Sequence, residues 1–120
     1  TMEQVEDNLN TFENFTPLNL KEKEIVADVA TAIKQRTKNG CTGCAYCMPC
    51  PFGVNIPQNF RIWNDLSMYE NKEQAKRAYF NDLEEDARAD HCQKCGKCEE
   101  VCPQHIAIRE NLDKVSRELL

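Results

Sequence analysis

Apolar residues recur every three to four positions through most of this chain, the spacing of one face of an α-helix. Met2, Val5, Leu9 and Phe12 predict a first helix over 2–12, which Phe15-Thr16-Pro17-Leu18 interrupts. Asn19 with Glu22 three residues on reads as an N-cap and its partner. The helix they open has Ile25, Val26, Val29, Ala30 and Ile33 on one side. The polar stretch from Lys34 to Asn39 ends it, with Gly40 as the stop. Pro49, Pro51 and Pro57 keep the next stretch irregular until after Ile56. Pro57 suits the first turn of a helix that buries Phe60, Trp63 and Leu66. Ala75, Ala78, Tyr79 and Leu83 predict a helical stretch over 72–87, and Ile108, Leu112, Val115 and Leu119 a final helix. Strand alternation is weak everywhere, so the expected fold class is all-α.

The irregular stretches hold all eight cysteines. Cys41-Cys44-Cys47-Cys50-Pro51 follows C-x2-C-x2-C-x2-C-P, and Cys92-Cys95-Cys98-Cys102-Pro103 follows C-x2-C-x2-C-x3-C-P. The second is the bacterial ferredoxin spacing, and the first is one residue shorter. Two [4Fe–4S] clusters and one-electron transfer are the expectation. A C-x2-C-x2-C loop curls so that three thiolates meet three iron corners. The small residues Gly43, Ala45 and Gly96 let backbone N–H groups approach the sulfurs. Each proline after a fourth cysteine turns the chain away.

In two-cluster ferredoxins the fourth cysteine of each run ligates the other cluster. That rule assigns Cys41, Cys44, Cys47 and Cys102 to one cluster, and Cys92, Cys95, Cys98 and Cys50 to the other. Compact bacterial ferredoxins are β/α pseudo-repeats with their runs close together. Here about 41 residues of helical sequence separate Cys50 from Cys92. An α-helical ferredoxin-like architecture, with two cysteine-rich loops between helices, fits better.

Rival uses of the cysteines fit less well. Zinc sites usually combine two separated pairs of ligands. A disulfide framework needs an oxidising compartment and a secretory signal, and a redox C-x-x-C needs a βαβ context. His91 and His105 flank the second loop and could hydrogen-bond a sulfur, although polar loop histidines are common. Tyr46 and Phe52 are candidates for shielding the first cluster from water. Glu84-Glu85-Asp86 could steer a basic partner, but a solvated helix end explains it as well. The first loop, Cys41 to Gly53, carries no charge, whereas Lys94 and Lys97 lie in the second, offset by Glu99 and Glu100. Cationic neighbours favour reduction, so the Cys92–Cys98 cluster is expected to have the higher potential.

Composition narrows the remaining options. A chain of 120 residues is one domain by size, with room for an appended arm. Its 41% of hydrophobic residues include the eight cysteines, so the core is modest and metal clusters would staple it. The formal charge is −5, and two dianionic cluster sites would take it to roughly −9. Nucleic acid and anionic membrane are therefore excluded as expected partners, and a redox protein with a basic face is favoured. No apolar run reaches a membrane span and no signal segment opens the chain. Free thiols for metal imply a reducing compartment, the cytoplasm.

Two segments carry a resemblance to a known family. They are Cys41-Thr42-Gly43-Cys44-Ala45-Tyr46-Cys47-Met48-Pro49-Cys50-Pro51-Phe52-Gly53-Val54-Asn55-Ile56-Pro57, and the stretch from Cys95-Gly96-Lys97-Cys98 to Cys102-Pro103-Gln104-His105-Ile106. Both resemble the C-terminal ferredoxin-like segment of iron–sulfur aldo/keto reductases, in which a shortened first run is usual. Upstream, Thr1 to Leu9 looks like the stretch that follows the last barrel strand in such enzymes, and Pro17-Leu18 like the start of their closing helix. A chain beginning Thr-Met suggests a piece of something longer. The resemblance implies a helical arm over 1–39, a dicluster domain over 40–120, and an N-terminal barrel as partner within a parent chain. The parent's nicotinamide loops and Tyr/Lys/Asp/His active site would lie before residue 1, so no catalytic residue is assigned here. The alternatives are a separate carrier acting in trans, or a structural module with zinc or redox-silent clusters.

Overall fold

A helix leaves its first N–H groups without partners, and most helices of this chain begin on a side chain that accepts from them. The computed structural model describes residues 1–120 and contains helices and turns but no strand. Helix α1 (Met2–Glu13) starts at Thr1, whose hydroxyl accepts from Gln4 N while Gln4 Oε1 takes the Thr1 amino group at 2.7 Å. Helix α2 (Leu20–Arg36) opens on the expected box: Asn19 N donates to Glu22 Oε2 at 2.8 Å, and Glu22 N donates to Asn19 Oδ1 at 3.0 Å. Asn55 caps α3 (Ile56–Tyr69) with Pro57 in its first turn, and Asn71 caps α4 (Lys72–Asn81). Two further α-helices follow. These are the single turn α5 (Lys97–Glu100) and α6 (Ile108–Leu119), whose N-cap Ala107 has no side chain to offer.

The chain forms two compact units, Thr1–Ala32 and Ile33–Leu120. In the first, the apolar stripes of α1 and α2 are uncovered: Leu9 is 58% exposed, Phe12 75% and Val26 55%. No helix of the chain is long and apolar enough to cross a membrane.

The second unit has one core. Ile56, Phe60, Ile62 and Trp63 on α3 meet Ala75 and Tyr79 on α4 and Ile108, Leu112, Val115 and Leu119 on α6. Burying each large aliphatic or aromatic side chain contributes about 1.5–3 kcal/mol. All of the cysteines except Cys44 and Cys95 pack against this cluster. The core of a small unit thus doubles as the bed for its cysteine loops.

Two local expectations change. The helix expected over 72–87 stops at Asn81, and the chain continues as 3₁₀ turns at Glu85–Ala87 and Ala89–His91. Arg88 explains the stop, donating from Nε to Tyr79 O at 3.2 Å and from Nη2 to Phe80 O at 2.9 Å. Its guanidinium takes up carbonyls that the ending helix leaves free. The turn also lets Ala87 O accept from Asn55 N and from the buried Asn59 Nδ2, at 2.9 and 2.8 Å. Leu83 is still buried, outside the helix. Gly40 is not the stop of α2, which ends four residues earlier, and its φ is not in the left-handed region. Instead, Asn64 Oδ1 on α3 accepts from Lys38 N and Asn39 N, at 2.9 and 3.1 Å, and draws the chain out of the helix.

Tyr79 is fully buried, and its hydroxyl accepts from Ala89 N at 3.1 Å. Burial raises its pKa, opposed by that hydrogen bond. The native state therefore holds the phenolic proton where the unfolded chain gives it up. This contribution is complete below about pH 10 and is lost as pH climbs through the raised native value. Tyr79→Phe is expected to cost about 1–2 kcal/mol near neutrality, because Ala89 N–H loses its partner. It should also flatten the alkaline fall in stability, and thermal melts of both proteins at neutral and alkaline pH check both effects.

Candidate metal centre

The two cysteine runs differ in sequence but adopt one backbone. Left-handed φ angles occur at Gly43 (71°), Ala45 (61°) and Gly53 (84°) in the first run. In the second they occur at Lys94 (55°), Gly96 (84°) and His105 (51°). Each set sits at the same offsets from its own cysteines. The turns match as well. Met48 N donates to Ala45 O, as Glu99 N does to Gly96 O, both at 2.9 Å. Gly53 N donates to Cys50 O at 3.0 Å, as His105 N does to Cys102 O at 3.1 Å. Val54 just before α3 and Ile56 at its start then pack into the core, as Ile106 just before α6 and Ile108 at its start do. The extra residue of the second run falls before its fourth cysteine, where the chain makes α5. Repeated left-handed turns curl a loop around a space and point consecutive N–H groups into it, the geometry of an anion-binding nest.

Two cavities lie inside these curls. One, of about 200 Å³, is lined by Cys47, Cys50, Cys92, Cys95 and Cys98. The other, a narrower cleft of about 20 Å³, is lined by Cys41, Cys44, Cys47 and Cys102. No three His, Cys, Asp or Glu side chains converge closely enough to hold a single ion. The thiols ring spaces instead of meeting at a point, whereas zinc needs four donors about 2.3 Å from one centre. All eight are free thiols. Burial pushes the Cys98 thiol up to about 11, with Glu99 and Cys92 adding to the rise. Cys47 is raised by burial, against its own backbone hydrogen bond, with Cys41, Cys102 and Cys44 contributing. Both would be protonated at neutral pH, so metal has to displace protons to bind them.

Other expectations about the surroundings change. Phe52 lines the cavity of the second run, not the first, and Tyr46 lines both. The first run lines both spaces, so proximity to it in sequence does not assign an aromatic side chain to one of them. Neither His91 nor His105 lines a cavity. His105 occupies a left-handed turn position, and His91 lies 4.0 Å from Asp90. Lys94 and Lys97 do line the second-run cavity, but Lys94 Nζ is paired with Asp113 Oδ2 at 2.8 Å. Glu84, Glu85 and Asp86 are exposed on a 3₁₀ turn. Asn39 and Asn64 are positioning residues without a sequence signal. Asn39 Oδ1 accepts from Cys41 N at 3.0 Å, and Asn64 Nδ2 donates to Asn39 O at 3.1 Å, which seats the first cysteine.

Comparison with known families agrees with this geometry. A model of the 4Fe-4S dicluster domain matches residues 40–108, more than half of the chain. The chain belongs to that family. No curated protein and no solved structure matches it. For a 4Fe-4S dicluster domain the expected cofactors are two [4Fe–4S] clusters, and eight thiols in two rings around two cavities fit them. The donors are soft thiolates of the right number, and the curled loops supply inward N–H groups. Such a domain suggests electron transfer: bound clusters take up and release single electrons.

The left-handed turns make the dicluster loops sensitive to small changes. A β-branched residue at such a position costs more than the roughly 1–2 kcal/mol of an ordinary L-residue. Gly43→Val and Gly96→Val are expected to lower iron per chain after anaerobic reconstitution. Ala45→Gly, which removes no side-chain contact, should keep full iron and raise the melting temperature.

Proposed function

We propose that this chain relays single electrons through two [4Fe–4S] clusters held crosswise. Cys41, Cys44, Cys47 and Cys102 hold one; Cys92, Cys95, Cys98 and Cys50 hold the other. The observation that carries this reading is the exchange of fourth cysteines between cavities. Cys102 borders the cleft of Cys41, Cys44 and Cys47, and Cys50 borders the cavity of Cys92, Cys95 and Cys98. The electrostatic neighbours of Cys47 include Cys102 from the other run, which supports the same grouping. In this scheme each loop is pinned to its partner's cluster, and the pair stays close enough for electrons to pass. The protein's own part is to exclude water with the α3–α6 core and to hold the sulfurs in place.

The wider setting is an extension of the same proposal. The resemblance at Cys41 to Pro57 and Cys95 to Ile106 supports a C-terminal module of an aldo/keto reductase-type oxidoreductase. In that setting residues 1–39 form an arm leading from a barrel, and residues 40–120 form the cluster domain. The uncovered apolar stripes of α1 and α2 suit a segment that packs against further structure. The net negative charge favours an external redox partner with a basic face and not nucleic acid or membrane. Thiols kept for iron favour the reducing cytoplasm.

Anaerobic reconstitution followed by iron and sulfide analysis should give about eight iron per chain, with reduction by dithionite bleaching the colour and producing EPR signals. Zinc in place of iron, or colour that dithionite leaves unchanged, would sink the relay. The crosswise scheme has its own check in Cys50→Ala and Cys102→Ala. Cys50→Ala should impair the cluster of the second run and Cys102→Ala that of the first. An effect on the cluster of each residue's own run would reverse the assignment.

A further inference from the structure

Once the two runs are aligned on their shared turns, three of the pairs that differ in chemistry bear on how the following helix begins. Met48 in the first repeat corresponds to Glu99 in the second, Asn55 to Ala107, and Pro57 to Arg109. In the first repeat the start of α3 is self-sufficient. Asn55 supplies a cap that accepts from Gln58 N at 3.2 Å, and Pro57 has no N–H to satisfy. In the second repeat Ala107 cannot cap, and the Arg109 N–H needs an acceptor.

Glu99 supplies that acceptor from inside the metal loop, one residue after Cys98. Its Oε1 accepts from Arg109 N at 2.8 Å, and its Oε2 accepts from Arg109 Nε and Nη2 at 2.9 and 2.7 Å. The carboxylate thus caps α6 and grips the guanidinium in a forked, charge-assisted contact. Hydrogen bonding to Arg109 holds the Glu99 carboxyl below its ordinary pKa, so it stays ionised. The guanidinium lies over Gly96, where a side-chain Cβ would come within 3.6 Å of Nη1. Arg109 also lines the cavity with Cys50, Cys92, Cys95 and Cys98. No such clamp exists in the first repeat, where Met48 and Pro57 can make none of these bonds.

We propose that Glu99 and Arg109 are a positioning pair that fastens α6 to the second metal loop and sets the solvent access and potential of that loop's cluster alone. The proposal rests on the dicluster reading above. The Arg109 guanidinium at the cavity and the Glu99 carboxylate paired with it, next to Cys98, act oppositely on a nearby anionic cluster. Removing the cation should make that cluster harder to reduce, and neutralising the carboxylate should make it easier. Loosening the clamp should also admit water and oxygen.

The test uses the reconstituted chain and the variants Arg109→Ala, Arg109→Lys and Glu99→Gln. Cys44→Ala and Cys95→Ala assign the two reduced-cluster EPR signals. Potentiometric titration should lower the midpoint of the second-run cluster in Arg109→Ala and raise it in Glu99→Gln, leaving the first-run cluster in place. Bleaching in air should quicken about tenfold for the second-run cluster of Arg109→Ala, the scale on which outer-shell partners move metal sites. Arg109→Lys, which keeps charge but not the fork, should restore the potential more than the air lifetime. Shifts of the same sign in both variants, equal changes at both clusters, or no change would overturn the proposal. Glu99→Gln keeps an oxygen that can cap α6, so its potential can be read even if Arg109→Ala folds poorly. Failure of the unaltered chain to bind iron would instead overturn the dicluster reading itself.

Discussion

The constraint on which the cluster-bearing unit depends is that short loops must ring two spaces with sulfur while lying on a small apolar core. Side chains cannot do this alone, because cysteine is short and the backbone has to bring it inward. The left-handed residues at 43, 45, 53 and at 94, 96, 105 provide the curvature. The seam of α3 and α6 provides the surface on which the curled loops rest. Neither part is sufficient. A chain of this size buries too little to be indifferent to its metal.

The same backbone built twice allows each repeat to be anchored differently. The first loop is held from outside, by Asn39 and Asn64 at its entry and by Asn55 at its exit. The second is held from within, by Glu99 reaching to α6 and by Lys94 paired with Asp113 on the same helix. A difference of one residue before the fourth cysteine accompanies this divergence, since α5 forms only in the longer loop. Two loops of similar backbone therefore receive different charged surroundings, which is how one fold can present two inequivalent redox sites.

Much of this was legible in advance because it is local. Cysteine spacing encodes loop curvature directly. The Asn19–Glu22 box and Pro57 announce helix starts from three or four residues, and the apolar spacing of α6 matches its buried face residue for residue. The end of α4 was not legible, because Arg88 stops that helix from seven residues beyond Asn81. Gly40 misled for a related reason: the chain leaves α2 at the instruction of Asn64, 26 residues beyond Lys38. Phe52 looked like a neighbour of the first cluster, since adjacency in sequence does not say on which side of a shared wall a ring will fall.

By itself, the sequence determined the inventory of cysteines, the all-helical class and the points at which most helices begin, since each follows from residue type and spacing within about one turn or one loop. The tertiary structure decided which thiols border the same space, bringing Cys102 to Cys41 and Cys50 to Cys92 across more than forty residues. It also decided which charges face which cavity. Those outcomes depend on how α3 and α6 pack, and packing sums many weak apolar contacts whose partners no short motif can name. The two cysteine runs are spelled out in the chain; their pairing is a property of the core beneath them.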